Sequence, residues 1–179
     1  MVLTIDTIRA TEDDEALADL LSAELERLLP GEIQEDRDRY HSTIETLPRG
    51  LRAMAGMNSF DISMSLDSLA WHFGNQNEER DLRETLNGLR ELELNDIADR
   101  FEQMWNFFKP HMQSLQSGDF GGKDFSDWLV DVGAEDFAKE KDEFIWNYCE
   151  EAGELGLLAS WTIFARKYPE RCVVGEHQQ

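Results

Sequence analysis

Cysteine, proline, basic residues and long apolar runs are all scarce in this chain, and each shortage removes a class of protein. Cys149 and Cys172 are the only cysteines and have no CxxC spacing, so a disulfide framework is excluded and a reducing cytoplasm with free thiols is expected. Four prolines, Pro30, Pro48, Pro110 and Pro169, stand apart with no Pro/Ser-rich linker between them. One domain is therefore expected from the 179 residues. No apolar run is long enough to cross a bilayer, and Met1 to Asp6 lacks the basic region and apolar core of a signal peptide. Lys and Arg number 17 against 38 Asp and Glu, for a net charge of −21. That field excludes direct nucleic-acid binding, which needs clustered bases on phosphate.

Chemistry-bearing motifs are missing too. His41, His72, His111 and His177 are scattered, with no HExxH or i,i+4 pair, so no metal site is expected. Asp119-Phe120-Gly121 spells a kinase metal triplet, but no glycine-rich phosphate loop, strand lysine or HRD loop accompanies it. Carboxylate pairs are so common among 38 acids that none selects a general acid or base. Cys149 sits among acids that disfavour a thiolate. No catalytic residue and no cofactor is expected.

What the chain does have is helical periodicity and unevenly placed charge. Residues 1–36 and 119–154 each carry −9, so two blocks hold most of the negative charge. In the first, Thr11 is expected to cap a helix running to Leu29, with Leu17, Leu21 and Leu28 inward and Leu20 and Leu25 flanking. Glu12, Glu15, Asp19 and Glu26 gather on its outer side. Its seven carboxylates fall about one per 4 Å along the axis, close to the ~3.4 Å phosphate spacing of one DNA strand. In the second block, residues 134–151 place Phe137, Phe144 and Tyr148 on one side and Glu135, Asp142, Glu143 and Glu150 on the other. Trp146 falls on the acidic side. Either another helix, such as the first, covers it, or it is an exposed anchor ringed by charge, the composition of an interface hot spot.

Between the blocks, helices are expected over 33–47, 60–73, 78–92 and 95–108, with breaks at Pro30-Gly31, Pro48, Asn58-Ser59 and Gly74 to Asn77. Asn95 is expected to cap the last of these, which pairs with its predecessor as a hairpin closed by Pro110. Residues 113–122 read as loop, 125–132 as a short helix, and 155–168 as the most deeply buried helix, ended by Pro169. The predicted core includes Leu17, Leu21, Leu86, Phe101, Trp105, Phe144, Trp161 and Phe164. With no alternating strands and no repeat, the fold class is all-α: a single multi-helix domain with antiparallel hairpins around a Leu/Phe/Trp core.

Asn58-Ser59-Phe60, Trp71-His72-Phe73-Gly74-Asn75, the helical pair Glu84 to Phe108, and Asp142-Glu143-Phe144 leading to Tyr168-Pro169 together resemble the small helical domain of the acidic DNA-mimic proteins of DMP type. Ser59 stands where that family favours glycine, and Gln76-Asn77-Glu78 replaces its small turn. The resemblance covers residues 58–169, leaving 1–57 as a helical segment packed on this unit and 170–179 as a tail. It implies an all-α, often homodimeric protein that binds a DNA-binding protein through an acidic surface.

The function expected is thus a non-enzymatic acidic protein-binding module, a DNA mimic that occupies a basic DNA-binding protein through Glu12, Glu15, Asp19, Glu26, Glu135, Asp142, Glu143, Trp146 and Glu150. Two alternatives stand beside it: an immunity or antitoxin-like partner, and a small-molecule enzyme with an unrecognised carboxylate site. A charge run that only solvates its helix is the bland reading of the same residues. A deep pocket of converging acids would favour the enzyme, and acidic faces on a convex surface would favour the module.

Overall fold

The computed structural model describes residues 2–175, so His177 lies outside it. Every regular element among the described residues is helical. Helix α1 (Ile5–Ala10) is capped by Thr4, and Thr11 closes it, its N–H and hydroxyl both donating to the Thr7 carbonyl. Thr11 is therefore a C-cap and not the expected N-cap of the next helix. That role falls to Asp13, whose carboxylate accepts the Ala16 N–H at 2.8 Å and starts α2 (Asp14–Leu28).

The expected 33–47 helix is split into α3 (Gly31–Gln34) and α4 (Arg37–Ile44), because Asp36 caps the Arg39 N–H and begins a new helix there. Helix α5 (Arg49–Leu66) starts on Pro48 and runs straight through Asn58-Ser59, where a break and a segment boundary were expected. Met57 and Phe60 flank that dipeptide, and both are fully buried. Core packing on either side outweighs the weak helix preference of Asn and Ser. The chain breaks instead at Asp67-Ser68, where Ser68 caps α6 (Leu69–Asn75), leaving Leu66 exposed.

Helices α7 (Glu79–Glu91) and α8 (Asn95–Phe108) form the expected hairpin across Leu92 to Leu94. Leu94 occupies the cap position with no side-chain cap bond, so Asn95 is the first helical residue and not the cap. Helix α9 (Met112–Ser117) stands where loop was expected, ended by left-handed Gly118. Then come α10 (Phe125–Asp131) and α11 (Ala134–Ala152). The expected 155–168 helix becomes a 3-10 segment, Gly153–Leu158, kinked at Gly156 by its non-helical dihedrals, which runs into α12 (Ala159–Lys167). Trp161 and Phe164 of α12 are buried, whereas Ile163 is exposed.

Helix α5 is the centre, packed against α2, α6, α7, α11 and α12. It meets α7 at two glycines. A Cβ on Gly56 would lie 2.7 Å from the Glu84 carbonyl oxygen, and one on Gly88 would lie 2.5 Å from that of Ala53. Phe60, Phe101, Phe73, Phe108 and Trp128 continue the core as a chain of rings with centroids 5.0 to 6.3 Å apart. Of the predicted core, Leu17, Leu21, Phe101, Trp161 and Phe164 are buried. Leu86, Trp105 and Phe144 are only half-buried, and the Arg100 guanidinium covers the Phe144 ring at 3.5 Å. Cys172 is fully buried against Gly50, so the segment after Pro169 begins as core and not as a tail.

Candidate functional site

The acidic helix α11 is rotated about 100°, one residue step, from its expected orientation. Its buried stripe is Ala134, Ala138, Lys141, Asp142 and Ile145, while Phe137 is 37% exposed and stacks on Phe107 at the edge. Alanines let the helix approach its neighbours where phenylalanines would hold it off. Asp142, expected on the acidic face, is 5% exposed, and its carboxylate accepts the Leu69 N–H at 2.8 Å, capping α6. Burial pushes its pKa up, opposed by that bond and by Lys141. Asp142 thus lies on the inner side of the helix.

The other acids of α11 point outward. Glu135, Asp136, Glu140, Glu143, Glu150 and Glu151 are exposed within about 160° of arc and over about 24 Å at 1.5 Å per residue. Glu140 pairs with Arg100, and Lys139 is the one base in the sector. Glu135, Asp136, Glu143, Glu150 and Glu151 have no ion-pair partner among the described residues. Trp146 lies in the same sector, 45% exposed, its indole N–H donating to the Met64 carbonyl at 3.3 Å. The end of α5 therefore holds one edge of the ring, and nearly half of the residue stays open to solvent.

The α2 face is sparser than expected. Glu12 precedes the helix, Asp13 is spent on the cap, and Asp14 is held by Arg166 at 2.6 Å. Glu24 is buried against Arg27. Glu15, Asp19 and Glu26 remain exposed and without an ion pair among the described residues. In the middle of the chain, by contrast, Arg49, Arg52, Arg80, Arg83 and Arg90 each bind a carboxylate. The uncompensated charge lies on α11 first and α2 second.

Sequence reasoning missed a cleft of about 570 Å³ formed by α2, α4, α5, α7 and α12. His41, 3% exposed, has Nε2 2.8 Å from Asp81 Oδ1, close enough for an ion pair but not aligned as a hydrogen bond. Arg37 reaches the other Asp81 oxygen at 3.1 Å, and Arg52 binds Glu84 through two nitrogens at 2.9 and 2.7 Å. Tyr40 donates to the Ala55 carbonyl, and burial, with Asp81 and Glu84 nearby, pushes its hydroxyl up to about 12. Trp161 lines the same cleft, 2% exposed, with no hydrogen-bond partner for its indole N–H. These residues come from four helices, so no local spacing encodes the cleft; the only sequence trace of the close helix approach beside it is glycine inside α5 and α7.

One partly buried carboxyl and both cysteine thiols stand outside this cleft's lining. Burial raises Asp61 to about 6 and raises both cysteine thiols, Cys172 to about 12. Among the described residues no group of three or more His, Cys, Asp or Glu is placed to hold a metal ion, and no helix is long and apolar enough to cross a membrane. No protein-family model matches the chain, and no curated protein or solved structure matches it either.

Proposed function

We propose that this chain is a non-enzymatic acidic protein-binding module whose α11 face takes a basic surface of its partner, a DNA-binding protein whose nucleic-acid site it occupies. The observation that carries this reading is the unpaired acidic sector of α11 surrounding a half-exposed tryptophan. Unpaired surface carboxylates at about one per 5 Å along α11 set up a field of the same sign as a phosphate strand and somewhat sparser. Trp146 adds an aromatic contact inside a polar rim. The resemblance of residues 58–169 to DMP-type proteins points the same way and brings homodimerisation into the proposal. Unpaired cysteines suit a reducing cytoplasm.

The test is affinity capture from native lysate at low salt, with release followed as salt rises. Glu135, Glu143 and Glu150 reversed to Lys should abolish capture with helicity intact, while Glu15, Asp19 and Glu26 reversed together should weaken it less. Trp146→Ala should cost about 2 kcal/mol of partner affinity and, with its ring half outside the core, only about 1 kcal/mol of stability. Capture unchanged by the α11 reversal would overturn the reading.

A further inference from the structure

Seven large apolar side chains are exposed among the described residues, and only two of them stand four residues apart on one helix: Ile62 and Leu66 of α5, 51% and 79% exposed. Isolated exposed apolar residues are ordinary, whereas neighbours on one face form a patch. At about 100° per residue, Asn58, Ile62, Ser65 and Leu66 fall within about 100° of arc, and all four are exposed. They form a ridge roughly opposite the buried Met57, Phe60 and Met64.

The ridge lies between the two acidic helices, both of which pack on α5. On its Asp61 edge it adjoins α11: burial and then the Asp61 charge raise the Cys149 thiol, and the Trp146 indole donates to the Met64 carbonyl at 3.3 Å. On its Ala55 and Ser59 edge it drops into the cleft, which Ile62 lines together with Leu25 and Glu26 of α2. Carboxylates therefore stand on both flanks. Glu143 and Glu150 are one turn either side of Trp146, Asp67 follows Leu66, and Glu26 shares the cleft with Ile62. All four are exposed and without an ion pair among the described residues. Of the bases nearby, Arg37 is already held by Glu78 and Asp81, and Lys139 lies about two turns from Trp146.

An apolar seam with acids on either side selects its occupant. Nucleic acid and anionic lipid are repelled. A second copy would set the same carboxylates against each other across a two-fold axis. A helix with an apolar seam and flanking Lys and Arg meets both parts of the surface. Its i,i+4 apolar pair spans about 6 Å, the rise from Ile62 to Leu66, while its cations reach the acids on both sides.

We propose that the α5 ridge, with Trp146 at its α11 edge, docks a basic amphipathic helix of the partner protein, its apolar seam on Ile62 and Leu66 and its Lys and Arg side chains against Glu26, Asp67, Glu143 and Glu150. This deepens the proposed function and rests on it, by naming the element that the partner presents to the acidic surface.

The full chain is titrated with a synthetic, end-capped peptide of Leu and Lys, about four turns long, whose leucines stand at i, i+4, i+7 and i+11. The control peptide has the same composition with its leucines spread around the helix. Affinity is measured by calorimetry at about 0.15 M salt, and the Trp146 indole resonance, identified by its loss in Trp146→Phe, is followed by NMR. The seam peptide should bind at least tenfold more tightly than the control and shift that resonance saturably. Ile62→Gln with Leu66→Gln should remove the tenfold preference and leave control binding unchanged. Leu66→Gln alone should remove about threefold of it, which decides the matter if the double variant fails to fold. Val130→Gln, an exposed apolar residue on α10, should change neither. Equal binding of the two peptides, or a preference that survives both Gln variants, overturns the ridge. A dimer seen by sedimentation and lost in the double variant would assign the ridge to a second copy and overturn the helix. Capture from lysate separates this inference from the reading beneath it. Capture lost on reversing the α11 acids but kept in the double Gln variant overturns the ridge and leaves the acidic face standing. Seam-peptide preference with capture unchanged by the α11 reversal overturns the acidic face and not the ridge.

Discussion

Burial pushes the Asp61 carboxyl up to about 6, so the folded chain keeps a proton that the unfolded chain releases near 3.8. Stability from this group therefore falls as pH rises between those values and stays lower at neutral pH. His72 works in the opposite direction. Its Nδ1 lies 2.9 Å from the Ser63 hydroxyl, which itself donates to the Ser59 carbonyl and so accepts from the ring. Phe60, Phe73 and Phe101 surround it with centroids 5.2 to 5.8 Å away, and burial lowers its pKa to about 3. Below 6.5 the unfolded chain takes up a proton that the folded ring refuses, so stability is lost as pH falls from there towards 3. The two slopes oppose each other between about pH 4 and 6. Asp61→Asn should therefore add about 1 kcal/mol at pH 7, discounted for partial solvent screening, and nothing at pH 4. It should also uncover the His72 slope as a steady rise in stability from pH 4 to 6.5. Urea denaturation across that range checks both, and an equal gain at every pH would mean Asp61 ionises freely.

At the level of helices, the meeting of α5 with α7 is set by what glycine leaves out. An exposed Gly→Ala in a helix normally stabilises by about 1 kcal/mol. Gly56→Ala should do the reverse and cost about 2 kcal/mol, because its Cβ would stand 2.7 Å from backbone that cannot rotate away. A stabilised Gly56→Ala in guanidinium denaturation would show that the helices are farther apart. The same level separates what was legible in the sequence from what was not. The repeat of Leu82 and Leu89, or of Ile97, Phe101, Met104 and Phe108, is long enough to fix both the helix and its inner face. Boundaries turned on single caps, Asp13, Asp36 and Ser68, each of which also reads as an ordinary exposed polar residue. The orientation of α11 was misread because three aromatics outweighed Ala134 and Ala138, yet small side chains decide how closely a helix can pack.

Across the whole molecule, the acidic asymmetry was legible because it needs only composition along the chain, while the cleft was not, since His41, Asp81 and Trp161 meet only after folding. The asymmetry has an energetic consequence. With a net charge of −21 and the acids of α11 and α2 largely unpaired, the folded state is opposed by its own field, which salt screens over about 10 Å at 0.1 M. The melting temperature should therefore rise between 0.05 and 0.5 M NaCl, although the arginine pairs of the chain's middle are weakened by the same screening. Those exposed pairs contribute about 0 to 1 kcal/mol each and are local, whereas repulsion acts among all the acids at once. Glu135, Glu143 and Glu150 changed together to Gln should raise stability by about 1 kcal/mol at low salt, lose that gain at high salt, and lose partner capture at low salt. A face that costs stability and is needed for capture is a face kept for binding. If the Gln variant gains stability and still captures the partner, the acids of α11 solvate the helix and do nothing more.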